Sequence, residues 1–89
     1  MNIDQFLNLL QEDGFPEPVE VEQIPNGCLE IHQHPFAVKA LVTEGWIEIV
    51  IDGIGKTYKV GDMFQLSFEQ GHSESYGPNG VKYLASRKQ

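Results

Sequence analysis

The chain has 89 residues, with thirteen Asp and Glu against six Lys and Arg, a formal net charge of −7 and 40% hydrophobic residues. That length allows one domain, 1–89, and the hydrophobic share sets the chain apart from disordered ones. The acid excess excludes the clustered basic face that nucleic acid or an anionic membrane surface would need, because Lys39, Lys56, Lys59, Lys82, Arg87 and Lys88 are scattered.

A spanning helix needs about 20 apolar residues, and Glu48 interrupts the strongest stretch, Ile47 to Ile51. The N-terminus carries no basic region or apolar signal core. The single Cys28 cannot close an internal disulfide. A cytoplasmic, reducing setting is the expectation.

In chain order, Ile3, Phe6, Leu7 and Leu10 follow the i, i+3, i+4, i+7 spacing, which predicts a helix over 2–13. Asn2 and Gln5 make a capping-box pair, and Gly14, Pro16 and Pro18 end the helix. From Val19 the period changes to two. Val19 and Val21 alternate with Glu20 and Glu22, and Pro25-Asn26-Gly27 marks a turn. Cys28 to His34 reads as a strand with Leu29 and Ile31 on one face and Glu30, His32 and His34 on the other. Val38 to Thr43 and Trp46 to Asp52 read as two strands parted by Glu44-Gly45. Asp52-Gly53 is a hairpin signal, after which Lys56 to Val60 pairs back. Met63 to Phe68, His72 to Tyr76 and Val81 to Ala85 complete the set, the last two joined by a turn at Gly77-Pro78-Asn79-Gly80. Short strands at regular spacing predict an all-β jelly-roll barrel over 19–86, preceded by the short helix.

The chemistry concentrates in the histidines, of which there are three. Alternation places His32 and His34 on one strand face, near enough to converge on one ion. His72 lies far along the chain. Neutral imidazoles suit Fe, Zn, Ni and Cu. Exposed histidines of no consequence are the plain alternative.

The pattern around them resembles the cupin family, over roughly Pro25 to Ala85. The family's first motif is a Gly, His-x-His, three or four residues, a Glu, six residues and a Gly. Gly27, His32-Gln33-His34 and Gly45 match it, with the first Gly one position nearer than usual. The second motif is a Gly, five residues, Pro-x-Gly, two residues, a His, three residues and an Asn. Gly61 and His72 fall in its register. The resemblance implies a double-stranded β-helix, a divalent metal ion (Fe, Zn, Ni or Mn) on His32, His34 and His72, and a homodimer. The chain departs from the motifs in four places. The family's metal-binding Glu is absent, its slot being Val38, or Lys39 with four intervening residues. Ser67, Glu69 and Tyr76 occupy the Pro, Gly and Asn slots. The metal then sits on three His and water, or another acid fills in, or the metal is lost.

Glu30 and Glu74 are the acids that alternation brings to the histidine faces, each a candidate ligand, an orienter of an imidazole or a rim carboxylate. Lys39 is expected to point outward and Cys28 to be a small buried hydrophobe. Trp46 and Tyr76 are the aromatic pocket candidates because each carries a polar handle. The first functional expectation is a metal-dependent binder or sensor of a small molecule, on a chain with no room for a lid. The second is a metal enzyme, dioxygenase-like or isomerase-like, and the third a metal-free interaction module.

Overall fold

In the computed structural model, which describes residues Met1–Gln89, the helix α1 (Ile3–Glu12) starts with the expected capping box. The Asn2 side chain accepts from the Gln5 backbone N–H at 2.8 Å, and the Gln5 side chain accepts from the Asn2 N–H at 3.0 Å. Phe6 and Leu10, one turn apart, bury against Leu41, with Phe15, Met63 and Leu84 around them. Each such side chain gains about 1.5–3 kcal/mol by leaving water.

Six strands follow: β1 (Val19–Gln23), β2 (Cys28–His32), β3 (Ala37–Ile51), β4 (Ile54–Lys59), β5 (Met63–Leu66) and β6 (His72–Lys88). All pairings are antiparallel. The strands predicted at 38–43 and 46–52 are one strand of 15 residues, and those predicted at 72–76 and 81–85 are one of 17. These two pair with each other along most of their length and run through two layers. In one layer β1 pairs with β6 at Val81–Ala85, β6 with β3 at Ala37–Gly45, and β3 with β5. In the other, β2 pairs with β6 at His72–Ser75, β6 with β3 at Ile47–Val50, and β3 with β4.

The turn signals in the sequence act here as bends within strands rather than as reversals. The β3–β6 register shifts between Val42 and Glu44 and again between Gly45 and Ile47, where β6 moves from Val81 to Tyr76. Gly77–Gly80 is therefore an excursion on a continuing strand, held through Gly77 O, which accepts from Asn26 N–H at 2.9 Å. Gly45 sits at φ +70 with its Cα against the Gly80 carbonyl, an approach no side chain permits. Asp52 and Gly53, at φ 52 and 78, form the expected tight hairpin. Glu69 stands at φ 56 where the resemblance places a glycine.

The core lies between the layers. Val38, Ala40 and Val42 from one half of β3 meet Ile47 and Ile49 from the other, with Phe64, Leu66, Tyr76, Val81, Tyr83 and Ala85. Phe68, grouped with Phe64 and Leu66 by alternation, is instead exposed, because β5 ends at Leu66. No helix is long and apolar enough to cross a membrane.

Candidate metal centre

β2 and β6 build the site. His32 stands opposite His72 in their ladder, and Leu29 opposite Glu74. Three steps on β2 thus match two on β6, which is a β-bulge. The bulge breaks the alternation that put Glu30 with the histidines. Leu29, itself still partly open to solvent, lines the rim of the cavity instead, while Glu30 and Ile31 point away from it, and only the Glu30 backbone takes part. His34 follows the end of β2, its ring stacked on Phe36 at 5.0 Å.

The rings of His32, His34 and His72 lie 4.3–5.3 Å apart between centroids. Each offers a nitrogen, Glu74 offers an oxygen, and the four donor atoms lie within 4.8 Å of one another. Donors bound to one ion at about 2.1 Å are roughly 3–4 Å apart, so the four are near ligand spacing.

The hydrogen bonds decide what this cluster lacks. His32 Nδ1–H donates to the Glu30 carbonyl at 2.7 Å, and His72 Nδ1–H donates to the Gln70 carbonyl at 2.9 Å. A carbonyl only accepts, so Nδ1 carries the proton and a neutral ring has its lone pair on Nε2. Both Nε2 atoms face the same carboxylate oxygen, Glu74 Oε2, at 3.3 and 3.0 Å. His32 Nε2 is buried and makes no hydrogen bond. His72 Nε2 is within hydrogen-bond distance of Oε2, so a proton can join that pair; in neutral rings the two lone pairs repel the anionic oxygen unless a metal cation stands between them. The donor set therefore fits a divalent metal, with backbone carbonyls fixing the ring tautomers as ligating histidines require. Burial, with the neighbouring His32 and His72, lowers the pKa of His34 below its ordinary 6.5, which keeps this ring neutral.

Glu74 is buried, not a rim carboxylate, and its other oxygen accepts from the Tyr76 hydroxyl at 3.0 Å. Burial, and then the Glu74 carboxylate, hold the Tyr76 phenol well above its ordinary 10.0. That hydroxyl is committed to Glu74 and does not reach a ligand, as alternation alone had allowed. Val38 points inward and lines the cavity. Lys39 points outward to an ion pair with Asp13 at the end of α1. Trp46 lines no part of the cavity; it lies over Gly77. Cys28 is exposed rather than buried.

The cavity beside the cluster measures about 120 Å³ and is walled largely by Leu29, Phe36, Val38, Phe64 and Leu66. Gln23, Tyr83 and Arg87 add polar groups. Arg87 was missed because the predicted barrel stops at 86. The signal was the alternation Tyr83, Ala85, Arg87 carried one step further.

No protein-family model matches the sequence, and no curated protein does. Solved structures do match. An RmlC-like cupin from Shewanella frigidimarina NCIMB 400 superposes with a TM-score of 0.69 at 21% identity, over 80% of this chain and 63% of that one. A Bacillus subtilis oxalate decarboxylase variant gives a TM-score of 0.70 at 19% identity, over 81% of this chain and 20% of that one. KdgF from Halomonas sp. gives 0.66 at 18% identity, over 83% and 71%. The chain thus spans under two thirds of the first of these and a fifth of the second. Two antiparallel layers threaded by two shared strands, superposing on these barrels, make this chain a protein of the cupin fold.

Proposed function

We propose that the barrel holds a divalent metal ion on His32, His34, His72 and Glu74 and binds a small molecule beside it, in a binding or sensing role. The observation that carries this reading is the convergence of two imidazole nitrogens on one buried carboxylate oxygen, with His32 Nε2 buried and left without a hydrogen bond. Glu74 replaces the acid missing at Val38, so the charge a metal site needs comes from β6 instead of the start of β3. Three nitrogens and one carboxylate suit Fe, Mn, Ni or Zn. When bound, such an ion supplies a Lewis acid with open coordination positions. The chain's own part is to fix the imidazole tautomers, to orient Glu74 through Tyr76, and to wall the position with apolar side chains.

Elemental analysis of protein purified without chelator, beside a His72→Ala variant, tests the reading. Near-stoichiometric metal that falls in the variant is the expected result. No metal in either sample after reconstitution would overturn it and leave a metal-free interaction module.

A metal enzyme is the second reading. It gains from the complete three-His, one-Glu donor set and from the likeness to oxalate decarboxylase, one structure of which concerns Mn(II) centres. It stays second because Glu74 is the one acid lining the cavity and is committed to the site, which leaves no carboxylate free as a general base. We also propose that two copies pair. The exposed Ile24, Ile31, Ile54 and Phe68 support this, and sedimentation at the monomer mass alone would refute it.

A further inference from the structure

We propose that the small molecule held beside the metal is a short carboxylate, anchored by Arg87. This rests on the metal reading above and names the chemistry of its ligand.

Arg87 is the one arginine of a chain with a net charge of −7. It lines the cavity that His32, His34 and Glu74 open into. Its guanidinium stacks on Phe36, with Cζ 5.0 Å from the ring centroid. It joins none of the ion pairs of the molecule, although Lys39 and Lys82 both find acids. Arg87 is exposed at the cavity mouth, and an arginine laid over an aromatic ring and left without a carboxylate has its N–H fork free for whatever enters, a fork that matches a carboxylate bidentately.

A second donor stands in the same cavity. The Tyr83 hydroxyl accepts from Gln23 Nε2 at 3.4 Å, and its own proton has no acceptor. Glu74 is used up by the histidines and Tyr76. With the imidazole nitrogens of His32 and His34 turned to the metal, the free side-chain acceptor left in the lining is the Gln23 carbonyl. A cavity richer in donors than acceptors selects an oxyanion. The rest of the lining is mostly hydrocarbon, which favours an oxyanion with a short carbon skeleton over phosphate or sulfate. Size bounds the ligand further. A volume of about 120 Å³ is small, which favours a compact ligand over a large one.

The test uses protein loaded with Co(II), whose visible spectrum reports ligands entering its coordination sphere, titrated with acetate, acetamide and inorganic phosphate. Metal uptake is measured in the same samples. Acetate is expected to bind at least tenfold more tightly than its neutral isostere acetamide and more tightly than phosphate. Arg87→Met is expected to take the same amount of metal and the same affinity for acetamide, but to lose tenfold or more for acetate. Arg87→Lys is expected to fall between them. Equal affinity for acetate in wild type and Arg87→Met, or for acetate and acetamide in wild type, would overturn the inference while leaving the metal centre in place. Tighter binding of phosphate would overturn the choice of a carboxylate. Failure to take up Co(II) at all would overturn the metal reading, and this inference with it.

Discussion

Glu74 has opposite effects on the metal-bound and metal-free protein. Replacing it by Gln keeps the shape and lets the side-chain oxygen go on accepting from Tyr76. The new amide N–H₂ then stands where Oε2 faces the Nε2 lone pairs of His32 and His72. With both rings neutral, a repulsive contact becomes a hydrogen bond, with a net contribution of about 0.5–1.5 kcal/mol. Glu74→Gln is therefore expected to bind metal at least tenfold more weakly and yet, at alkaline pH where the rings are neutral, to be more stable than wild type when both are metal-free. Equilibrium dialysis and urea unfolding check the two halves separately. Tyr76 makes its own prediction at the alkaline end. Its folded pKa lies above the 10.0 of the free phenol, chiefly through burial, so the folded chain keeps a proton that the unfolded chain gives up. Stability is full below pH 10 and falls above it, by about 1.4 kcal/mol per pH unit for each such phenol. Tyr83, raised by its own burial, adds to the slope. Unfolding free energies between pH 9 and 11 measure it, and Tyr76→Phe is expected to make the decline shallower.

The strands teach most where they bend. Asn2, Gln5 and the Asp52-Gly53 hairpin were legible in the sequence because each depends on neighbours a few residues away. The continuity of β3 and β6 was not, because Gly45 and Gly77–Gly80 look the same in a sequence whether a chain reverses or only kinks. What makes them kinks is distant: each strand is held on both flanks, β3 by β4, β5 and β6, and β6 by β1, β2 and β3. The bulge between Leu29 and His32 was invisible for a related reason. A single unpaired residue leaves the composition of the strand unchanged but turns Leu29 toward the cavity rim and Glu30 away from it. The close pass of Gly45 and Gly80 is the tightest of these devices. Gly45→Ala puts a Cβ into the Gly80 carbonyl at a positive φ that alone costs about 1–2 kcal/mol. Thermal unfolding is expected to show a loss of at least ~3 kcal/mol, the overlap adding to the backbone term.

For the molecule as a whole, the three histidines were legible because the resemblance fixed their register, and they do converge. Glu74 was legible only as a candidate, since alternation gives a face but not a depth, and its depth comes from the opposite layer, whose Val38, Phe64 and Leu66 wall the same cavity. Gathering three ligands and an acid from separate elements links folding to metal. Metal at 100 times its dissociation constant is expected to add about 2.7 kcal/mol to stability. Chelator should lower the melting temperature of wild type and leave His72→Ala unmoved. One consequence concerns the order in which the chain is made. β1 and β2 have no pairing partner except β6, the last of the six strands in chain order. On a ribosome, the His32 end of the site therefore waits without a strand to lie against while β3, β4 and β5 pair among themselves. His72 and Glu74 arrive on the same stretch that closes the barrel. Until β6 pairs, the chain offers an ion no complete seat, so an ion held by His32, His34, His72 and Glu74 would enter only as the barrel closes.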